Sequence, residues 1–192
     1  MLCRVVKRAF DPALVAEVER VARPLAAVAG ATVEEDEPDT RQCELRWIVR
    51  GSEEFRAIEE PLLAVLAREG AVDPGLCLLE DLQYTAYRPG GFHDWHIDAY
   101  RRPYNRYDLP LGERFVGRKR KVSVSVLLNG TDEFTGGAFE VSMFPNGRKT
   151  VGSRIEDLSE AGDLVFFDSK LCHRVAPVDS GLRKSLVAWI CA

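Results

Sequence analysis

The stretch Lys121-Val122-Ser123-Val124-Ser125-Val126-Leu127-Leu128 alternates apolar and small polar residues more regularly than any other part of the chain. Strict alternation is the pattern of a β-strand, because successive side chains of a strand point to opposite faces of the sheet. The valines therefore share one face, which we expect to pack against helices. The serines and Leu127 share the other, which we expect to line a half-polar cavity. A sandwich with one polar interior face predicts a jelly roll, which closes most of its sheet edges.

Short strand-like runs continue from Leu82 to the end of the chain, whereas the helical patterns lie in the first 80 residues. Residues 2–10 and 43–49 are predicted strands, and residues 34–39 a solvated acidic loop. Asp11-Pro12 and Ser52 are typical helix starts. Pro61 should divide the second helix in two, because proline lacks the N–H that a helix needs. We expect one domain of 192 residues, with a helical support region at 1–80 and a jelly-roll core at 81–192.

The strongest chemical signal lies in the stretch Tyr-Arg-Pro-Gly-Gly-Phe-His-Asp-Trp-His-Ile-Asp, residues 87–98. His96 and Asp98 are two positions apart, so on an extended backbone both point to the same side and can reach one metal ion. His173, between two strand-like runs, offers a third ligand. Two histidines and one carboxylate are the ligand set of non-haem Fe(II) oxygenases. His96, Asp98 and His173 are called the metal triad below. His93 would face the opposite way on a strand, which favours a surface or supporting role.

A candidate anion site follows the third ligand along the chain. Asp179-Ser180-Gly181 separates two apolar runs and is typical of a hairpin turn. Such a turn would lay the strand with Arg183 and Ser185 beside the strand with His173. Alternation places Arg183 and Ser185 on one face, and a guanidinium next to a hydroxyl suits a carboxylate held near the metal.

Taken together, these motifs resemble the prolyl-4-hydroxylase-like branch of the Fe(II)/2-oxoglutarate-dependent dioxygenases. The matching pieces appear in the family's order over about residues 82–190. They are Tyr87-x-Pro-Gly-Gly-Phe with His96-x-Asp98, the strand 121–129 ending in Asn129, Gly136-Gly137, Gly162-Asp163 before a strand, and His173 followed by Arg183-x-Ser185.

The resemblance implies a double-stranded β-helix, Fe(II) held by the metal triad, and 2-oxoglutarate and O2 as cosubstrates. It places the distal carboxylate of 2-oxoglutarate on Arg183, assisted by Ser185 or Tyr87. It further implies hydroxylation of an unactivated C–H bond, coupled to decarboxylation of 2-oxoglutarate to succinate. A retained carboxylate ligand argues against halogenation.

Residues 100–121, called the basic segment below, directly follow the metal-binding motif. They carry eight arginines and lysines and two acidic residues, a balance of +6 within a chain whose formal net charge is −4. Three interpretations stay open: a solvated loop paired with the acidic remainder, a lid over an anionic substrate, and, given the interleaved aromatic residues, a nucleic-acid surface. The candidate substrate contacts are Trp95, Tyr100, Arg101 and Trp189.

The overall composition narrows the partners and the compartment. A net charge of −4 argues against general polyanion binding. Five cysteines without paired spacing fit a reducing compartment. The N-terminus lacks the apolar core of a signal peptide, and no apolar run approaches membrane-spanning length. We therefore expect a cytoplasmic protein that binds neither membranes nor nucleic acid; its oligomeric state is open.

Two other functions predict sequence features that differ from those of a hydroxylase. A non-catalytic jelly-roll binding module predicts the loss of a metal ligand or of Arg183, and both are present. An oxidative nucleic-acid demethylase usually carries a second arginine soon after the cosubstrate arginine, and here Lys184 follows. Hydroxylation is the favoured function. A free amino acid, a peptidyl residue and a biosynthetic small molecule are all open as substrates, with a slight preference for a small molecule.

Overall fold

The computed structural model describes residues 3–30, 40–107, 112–142 and 152–192. Two predicted regions, the acidic residues 34–39 and residues 108–111 of the basic segment, lie outside the described residues. The helices are α1 (Pro12–Ala22), α2 (Glu53–Arg68) and a short 3₁₀ helix (Glu113–Phe115). The strands are β1 (Cys3–Val6), β2 (Val28–Ala29), β3 (Arg41–Gln42), β4 (Glu44–Ile48), β5 (Leu78–Leu79), β6 (Leu82–Tyr87), β7 (Phe92–His96), β8 (Arg120–Leu127), β9 (Phe134–Gly136), β10 (Phe139–Ser142), β11 (Ser153–Arg154), β12 (Leu164–Asp168), β13 (Cys172–Val175), β14 (Val178–Gly181) and β15 (Arg183–Cys191).

These strands form two antiparallel sheets and a small two-stranded one. The larger sheet has the order β1-β12-β8-β15-β6-β4-β2, with β5 also paired to β15. The second sheet has the order β11-β10-β13-β7-β3, and β14 pairs with β9. The first 80 residues therefore supply strands to both sheets in addition to the helices. This double-layered antiparallel arrangement is the predicted jelly roll.

Two apolar layers hold the sheets in place. The first lies between the helices and one face of the larger sheet, and it contains the three valines of β8 together with the buried face of α2. The second lies between the two sheets and includes Leu127, Phe139 and Phe167. The two faces of β8 are thus used as the alternation predicts, because Ser125 faces a cavity between the sheets.

Both long helices begin where the sequence predicts, and neither is long and apolar enough to span a bilayer. Asp11 and Ser52 each accept a hydrogen bond from the backbone N–H three residues on. The prediction that Pro61 divides the second helix is wrong, because α2 is continuous from Glu53 to Arg68. An internal proline costs about 3 kcal/mol. Five apolar residues on both sides of Pro61 are buried in one layer, and at about 1.5–3 kcal/mol each their burial outweighs that cost.

The predicted hairpin at residues 179–181 is also wrong. β14 is itself a strand that pairs with β9, and the chain passes there from one sheet to the other. β13, which carries His173, pairs with β10 and β7. β15, which carries Arg183, pairs with β6 and β8. Arg183 and His173 therefore belong to different sheets, because the turn residues serve a crossover between sheets instead of a reversal within one.

Candidate metal centre and its cavity

The metal triad comes together between the two sheets. His96 ends β7, and His173 lies directly opposite it on β13. The Nε2 atoms of His96 and His173 each lie 3.6 Å from a carboxylate oxygen of Asp98. The ligand atoms of all three residues lie within 4.8 Å of one another. The sequence prediction that these residues converge agrees with this geometry.

Backbone carbonyl groups orient both imidazoles. Nδ1 of His96 lies 2.7 Å from the carbonyl oxygen of Asp94, and Nδ1 of His173 lies 2.9 Å from that of Leu171. A carbonyl oxygen only accepts hydrogen bonds, so each Nδ1 carries the proton and each Nε2 keeps a free lone pair. Burial lowers the pKa of His173 to about 4, although the charge of Asp98 opposes the shift. This imidazole is therefore neutral and ready to bind a metal at pH 7.

Asp98 is held through its backbone and remains charged. The carbonyl oxygen of Ser169 accepts hydrogen bonds from the N–H groups of Asp98 and Ala99, at 3.0 and 2.9 Å. Arg120 donates to the carbonyl oxygen of Asp98 at 3.3 Å. Burial opposes ionisation, but the imidazoles of His173 and His96, with Arg120, hold the pKa of Asp98 well below its usual range.

This donor set fits a divalent metal ion of the iron type. Two atoms that bind one ion at about 2.1 Å are at most about 4.2 Å apart, and both 3.6 Å separations satisfy that limit. Two neutral imidazoles and one carboxylate are the facial set of non-haem Fe(II) sites. All three side chains border one cavity, so bound molecules can reach an ion held there.

The cavity beside the metal triad is called the triad cavity below. It is lined by the metal triad and by Arg41, Gln83, Tyr87, His93, Val124, Ser125, Phe139, Phe167, Val175, Ser185, Val187 and Trp189. Two of the three predicted cosubstrate residues, Tyr87 and Ser185, are among them. Sequence reasoning missed Arg41 and Gln83, which lie in unremarkable strand sequence.

The third predicted cosubstrate residue, Arg183, lies directly behind the other two. Its Nη1 donates to the Ser185 hydroxyl at 3.2 Å, and its guanidinium lies 5.5 Å from the centre of the Tyr87 ring. Arg183 borders a second cavity, and Phe139 lines both cavities. Its side chain is buried, its Nε has no hydrogen-bond partner among the described residues, and burial lowers its pKa. No carboxylate of the described residues pairs with it.

His93 faces the metal triad, so the prediction that it points the other way is wrong. Its ring stacks on that of His96, with centroids 3.6 Å apart. His96 lies opposite His173 while His93 lies opposite Val175, so β7 contains one extra residue. This β-bulge brings His93 and His96 to the same face. Burial, with the nearby charges of His96 and Arg41, lowers the pKa of His93 well below its usual value, so its ring is neutral.

The four candidate substrate contacts lie in different places. Trp189 lines the triad cavity, and its Nε1 has no hydrogen-bond partner among the described residues. Tyr100 lies behind it, because the guanidinium of Arg120 is 4.1 Å from the Trp189 ring and 4.6 Å from the Tyr100 ring. Trp95 packs against Arg174 and Arg101 is exposed; neither lines the triad cavity. A substrate contact by any of the four stays a prediction.

The described part of the basic segment is anchored to the fold. Tyr104 and Phe115 are buried in a small apolar cluster with Cys191. Arg120 forms a two-pronged ion pair with Glu80, at 2.8 and 2.7 Å. The role of this segment as a lid stays a prediction.

Comparisons with known proteins agree with this site. A profile of the 2OG-Fe(II) oxygenase superfamily matches residues 82–191. A PKHD-type hydroxylase of Synechococcus sp. (strain JA-2-3B'a(2-13)) is 26% identical over 149 residues, which are 76% of this chain and 58% of that protein. The chain spans just over half the length of the curated relatives it matches.

Two solved structures share the fold. A prolyl hydroxylase from Trichoplax adhaerens, in complex with a hypoxia inducible factor peptide fragment, has a TM-score of 0.67 and 18% identity, covering 98% of this chain and 82% of that chain. The epimerase SnoN, in complex with Fe3+, alpha ketoglutarate and nogalamycin RO, has a TM-score of 0.67 and 16% identity, covering 98% of this chain and 78% of that chain. These likenesses confirm the double-stranded β-helix. The profile match spans the whole metal triad together with Tyr87, Arg183 and Ser185, and the chain belongs to the 2OG-Fe(II) oxygenase superfamily.

Proposed function

We propose that this chain is an Fe(II)- and 2-oxoglutarate-dependent dioxygenase that hydroxylates an unactivated C–H bond, with decarboxylation of 2-oxoglutarate to succinate. The observation that carries the proposal is the buried guanidinium of Arg183, which no carboxylate of the described residues neutralises, next to a pair of cavity-lining hydroxyls and the metal triad. His96, Asp98 and His173 would hold Fe(II), which supplies the oxidative chemistry with O2.

Arg183 would bind the distal carboxylate of 2-oxoglutarate. A buried charge is unfavourable unless it is paired, and a charge-assisted bond to a carboxylate is the strongest pairing that a guanidinium makes. Ser185 already orients the guanidinium, and the Tyr87 hydroxyl is the nearest phenol. Burial raises the pKa of Tyr87, against the opposing charges of Arg41 and Arg183, so this phenol is protonated and able to donate a hydrogen bond at neutral pH.

The remaining wall residues would exclude water from the reacting atoms. Phe139 and Phe167 pack against the ring of His173, with centroids 5.6 and 4.6 Å away. Val175 and Val187 complete an apolar surface around the site. An enclosed apolar wall strengthens the electrostatic contacts inside it and limits side reactions with water.

The substrate class is open among a small molecule, an amino acid and a peptidyl residue. The peptide fragment bound by one structural neighbour and the nogalamycin RO bound by the other differ greatly in chemistry, and their TM-scores against this chain are equal. The fold is therefore compatible with a peptide and with a small molecule as substrate. The proposed reaction needs neither nucleic acid nor a membrane as a partner.

We also propose that residues 1–80 and 81–192 act as one unit in the cytoplasm. The shared apolar layer of helices and sheet supports a single unit. All five cysteines are free, which supports a reducing compartment. Cell fractionation, with a thiol-labelling assay of the five cysteines, tests the location.

An anaerobic titration of the apoprotein with Fe(II) and then 2-oxoglutarate tests the proposed function. We expect the weak visible charge-transfer band of a metal-chelated 2-oxo acid in the wild type and its loss in His173→Ala. Cys172→Ala is the matched control, because it shortens the adjacent buried side chain and leaves the metal triad intact. Metal binding without the band would exclude 2-oxoglutarate as cosubstrate, and no metal binding would favour a binding module.

A further inference from the structure

Arg41 brings a second guanidinium to the triad cavity. It lies on β3, the edge strand of the second sheet, and its backbone pairs with that of His93. Its Nε donates to the sulfur of Cys43 at 3.0 Å, while its charge is felt at both His93 and Tyr87. No carboxylate within the described ranges forms an ion pair with it. Arg41 therefore presents a half-buried positive charge to the cavity, with no carboxylate partner in the part of the chain that the structure describes.

The other charged groups described around the cavity have partners of opposite charge. Asp98 is the only carboxylate among the described lining residues, and it belongs to the metal triad. This step rests on the proposed function. With the cosubstrate bound, the charges of Fe(II), Asp98 and Arg183 together cancel the two negative charges of 2-oxoglutarate. Arg120 is neutralised by Glu80. Of the cations described at this site, Arg41 alone is left over once the cosubstrate is bound.

The hydrogen-bonding groups of the cavity point to the same kind of guest. Trp189, only 6% exposed, has an Nε1–H without a partner among the described residues. Unpaired buried donors are uncommon in folded proteins, because each loses its hydrogen bonds to water. The charge of Arg41 and the unpaired N–H of Trp189 favour a bound molecule that is rich in hydrogen-bond acceptors.

Arg41 and Arg183 lie on different sheets. Arg183 lies on β15, within the larger sheet, and is 1% exposed. Arg41 lies at the edge of the opposite sheet, on the side of His93. Both guanidiniums act on Tyr87, so the two bound molecules would meet at that hydroxyl, with the cosubstrate on the Arg183 side and the molecule that is oxidised on the Arg41 side.

We propose that Arg41 binds a carboxylate of the substrate, so that the substrate is a small organic acid. The carboxylate comes from a free acid group or from an acidic side chain, and both present the same planar pair of oxygens to a guanidinium. The proposal narrows the proposed function to one substrate class and assigns Arg41 as the residue that selects it.

Matched acid and amide probes test this assignment without turnover. Protein loaded with Zn(II) and 2-oxoglutarate is titrated in a calorimeter with N-acetyl amino acids and with the corresponding N-acetyl amino acid amides. N-acetyl-aspartyl amide and N-acetyl-glutamyl amide, whose only carboxylate is in the side chain, separate the two carboxylate sources. We expect at least one acid to bind about tenfold or more tightly than its amide. Arg41→Gln should remove the difference, and Arg41→Lys should retain part of it.

Arg88→Gln is the matched control, since Arg88 directly follows the cavity residue Tyr87 in sequence but is exposed, pairs with Glu44 and does not line the cavity. It should leave the acid preference unchanged. A panel in which no acid exceeds its amide, or a preference that survives Arg41→Gln, would overturn the proposal. A fall in 2-oxoglutarate affinity in Arg41→Gln as large as in Arg183→Gln would overturn it too, because Arg41 would then be a second cosubstrate anchor. The failure of the proposed function would look different. In that case the protein shows no charge-transfer band when Fe(II) and 2-oxoglutarate are added, but its apoprotein still binds the acid in a way that depends on Arg41.

Discussion

Arg120 donates a hydrogen bond to the backbone carbonyl oxygen of Asp98, at 3.3 Å, from a position 22 residues further along the chain. The same guanidinium forms an ion pair with Glu80 and lies over the rings of Tyr100 and Trp189, 4.6 and 4.1 Å from their centres. Glu80 in turn accepts hydrogen bonds from the Tyr104 hydroxyl and the Cys191 thiol. Arg120 is thus a positioning residue, which fixes the backbone of a metal ligand to the C-terminal strand.

Removing this support should weaken metal binding without unfolding the protein. Because Arg120 is cationic, its loss alone would also change the charge near the metal, so the informative variant is Arg120→Gln with Glu80→Gln, which leaves the net charge unchanged. We expect the dissociation constant of Zn(II) or Fe(II) to rise about tenfold, the size typical of residues that orient metal ligands. Competition with a chromogenic chelator measures the constant, and circular dichroism checks the fold.

The control for this pair is Arg50→Gln with Asp81→Asn. It removes another half-buried ion pair, at 2.8 Å, whose described contacts, with Asp81 and Phe115, include no metal ligand. It should leave the metal affinity at the wild-type value. Wild-type affinity in the Arg120/Glu80 variant would mean that the two bonds to Ser169 hold Asp98 without help.

Arg183→Met should separate stability from cosubstrate binding. The substitution keeps an unbranched aliphatic stem and removes a buried charge that has no carboxylate partner among the described residues. Replacing buried charges with apolar groups of similar size is often stabilising by about 1–4 kcal/mol. We therefore expect the apoprotein to resist denaturant at least as well as the wild type, while the dissociation constant of 2-oxoglutarate rises a hundredfold or more. Urea unfolding and the charge-transfer titration give the two values.

Arg50→Met provides the contrasting case, because the charge of Arg50 is paired with Asp81. It should lower the free energy of unfolding and leave 2-oxoglutarate binding unchanged. A strongly destabilised Arg183→Met with normal cosubstrate affinity would show that Arg183 is structural and that the cosubstrate anchor lies elsewhere.

The parts of the site that the sequence predicts are those governed by local spacing. The pair His96 and Asp98, and the pair Arg183 and Ser185, are each two residues apart in extended chain, so the period of a strand is enough to place them on one face. The third ligand, His173, required chemical reasoning, since only three histidines are present.

The parts that the sequence does not predict depend on long-range pairing. The bulge that turns His93 toward the metal is a mismatch between two strands about 80 residues apart, and neither strand encodes it alone. The Arg120–Glu80 pair joins residues 40 positions apart, and Arg41 enters the cavity only because β3 pairs with β7. Pro61 is a local signal overruled by the burial of the whole helix face.

Gly162→Ala should be far more destabilising than a matched glycine substitution. Gly162 and Gly117 have nearly the same positive φ, 86° and 83°. A Cβ at Gly162 would overlap the backbone carbonyl oxygen of Phe10, whereas at Gly117 nothing lies within 4 Å. Gly117→Ala should therefore lose about 1 kcal/mol, the cost of the left-handed backbone alone. Gly162→Ala should lose about 1–3 kcal/mol more from overpacking. Equal losses in urea unfolding would contradict the close approach at Phe10.

Apoprotein stability should fall as the pH is lowered from about 6.5 to about 4. The pKa of His173 is about 4 in the folded protein and has an ordinary value of 6.5. Between these values the unfolded chain binds a proton at His173 that the folded protein does not, so acid favours unfolding. Asp98 acts differently: its pKa is lowered, so its contribution is fully present above about 3.8 and is lost only at lower pH. The loss of stability between pH 6.5 and pH 4 therefore arises from the histidines.

His173→Gln tests this origin, because glutamine does not titrate. Guanidinium unfolding in the presence of a metal chelator gives the free energy of unfolding at pH 7 and at pH 4.5. We expect the difference between the two pH values to be about 2–3 kcal/mol smaller in His173→Gln than in the wild type. His93→Gln should reduce the difference in the same direction, since burial also lowers the pKa of His93. A pH dependence identical to that of the wild type in both variants would mean that these imidazoles are protonated, and hence solvated, in the folded apoprotein.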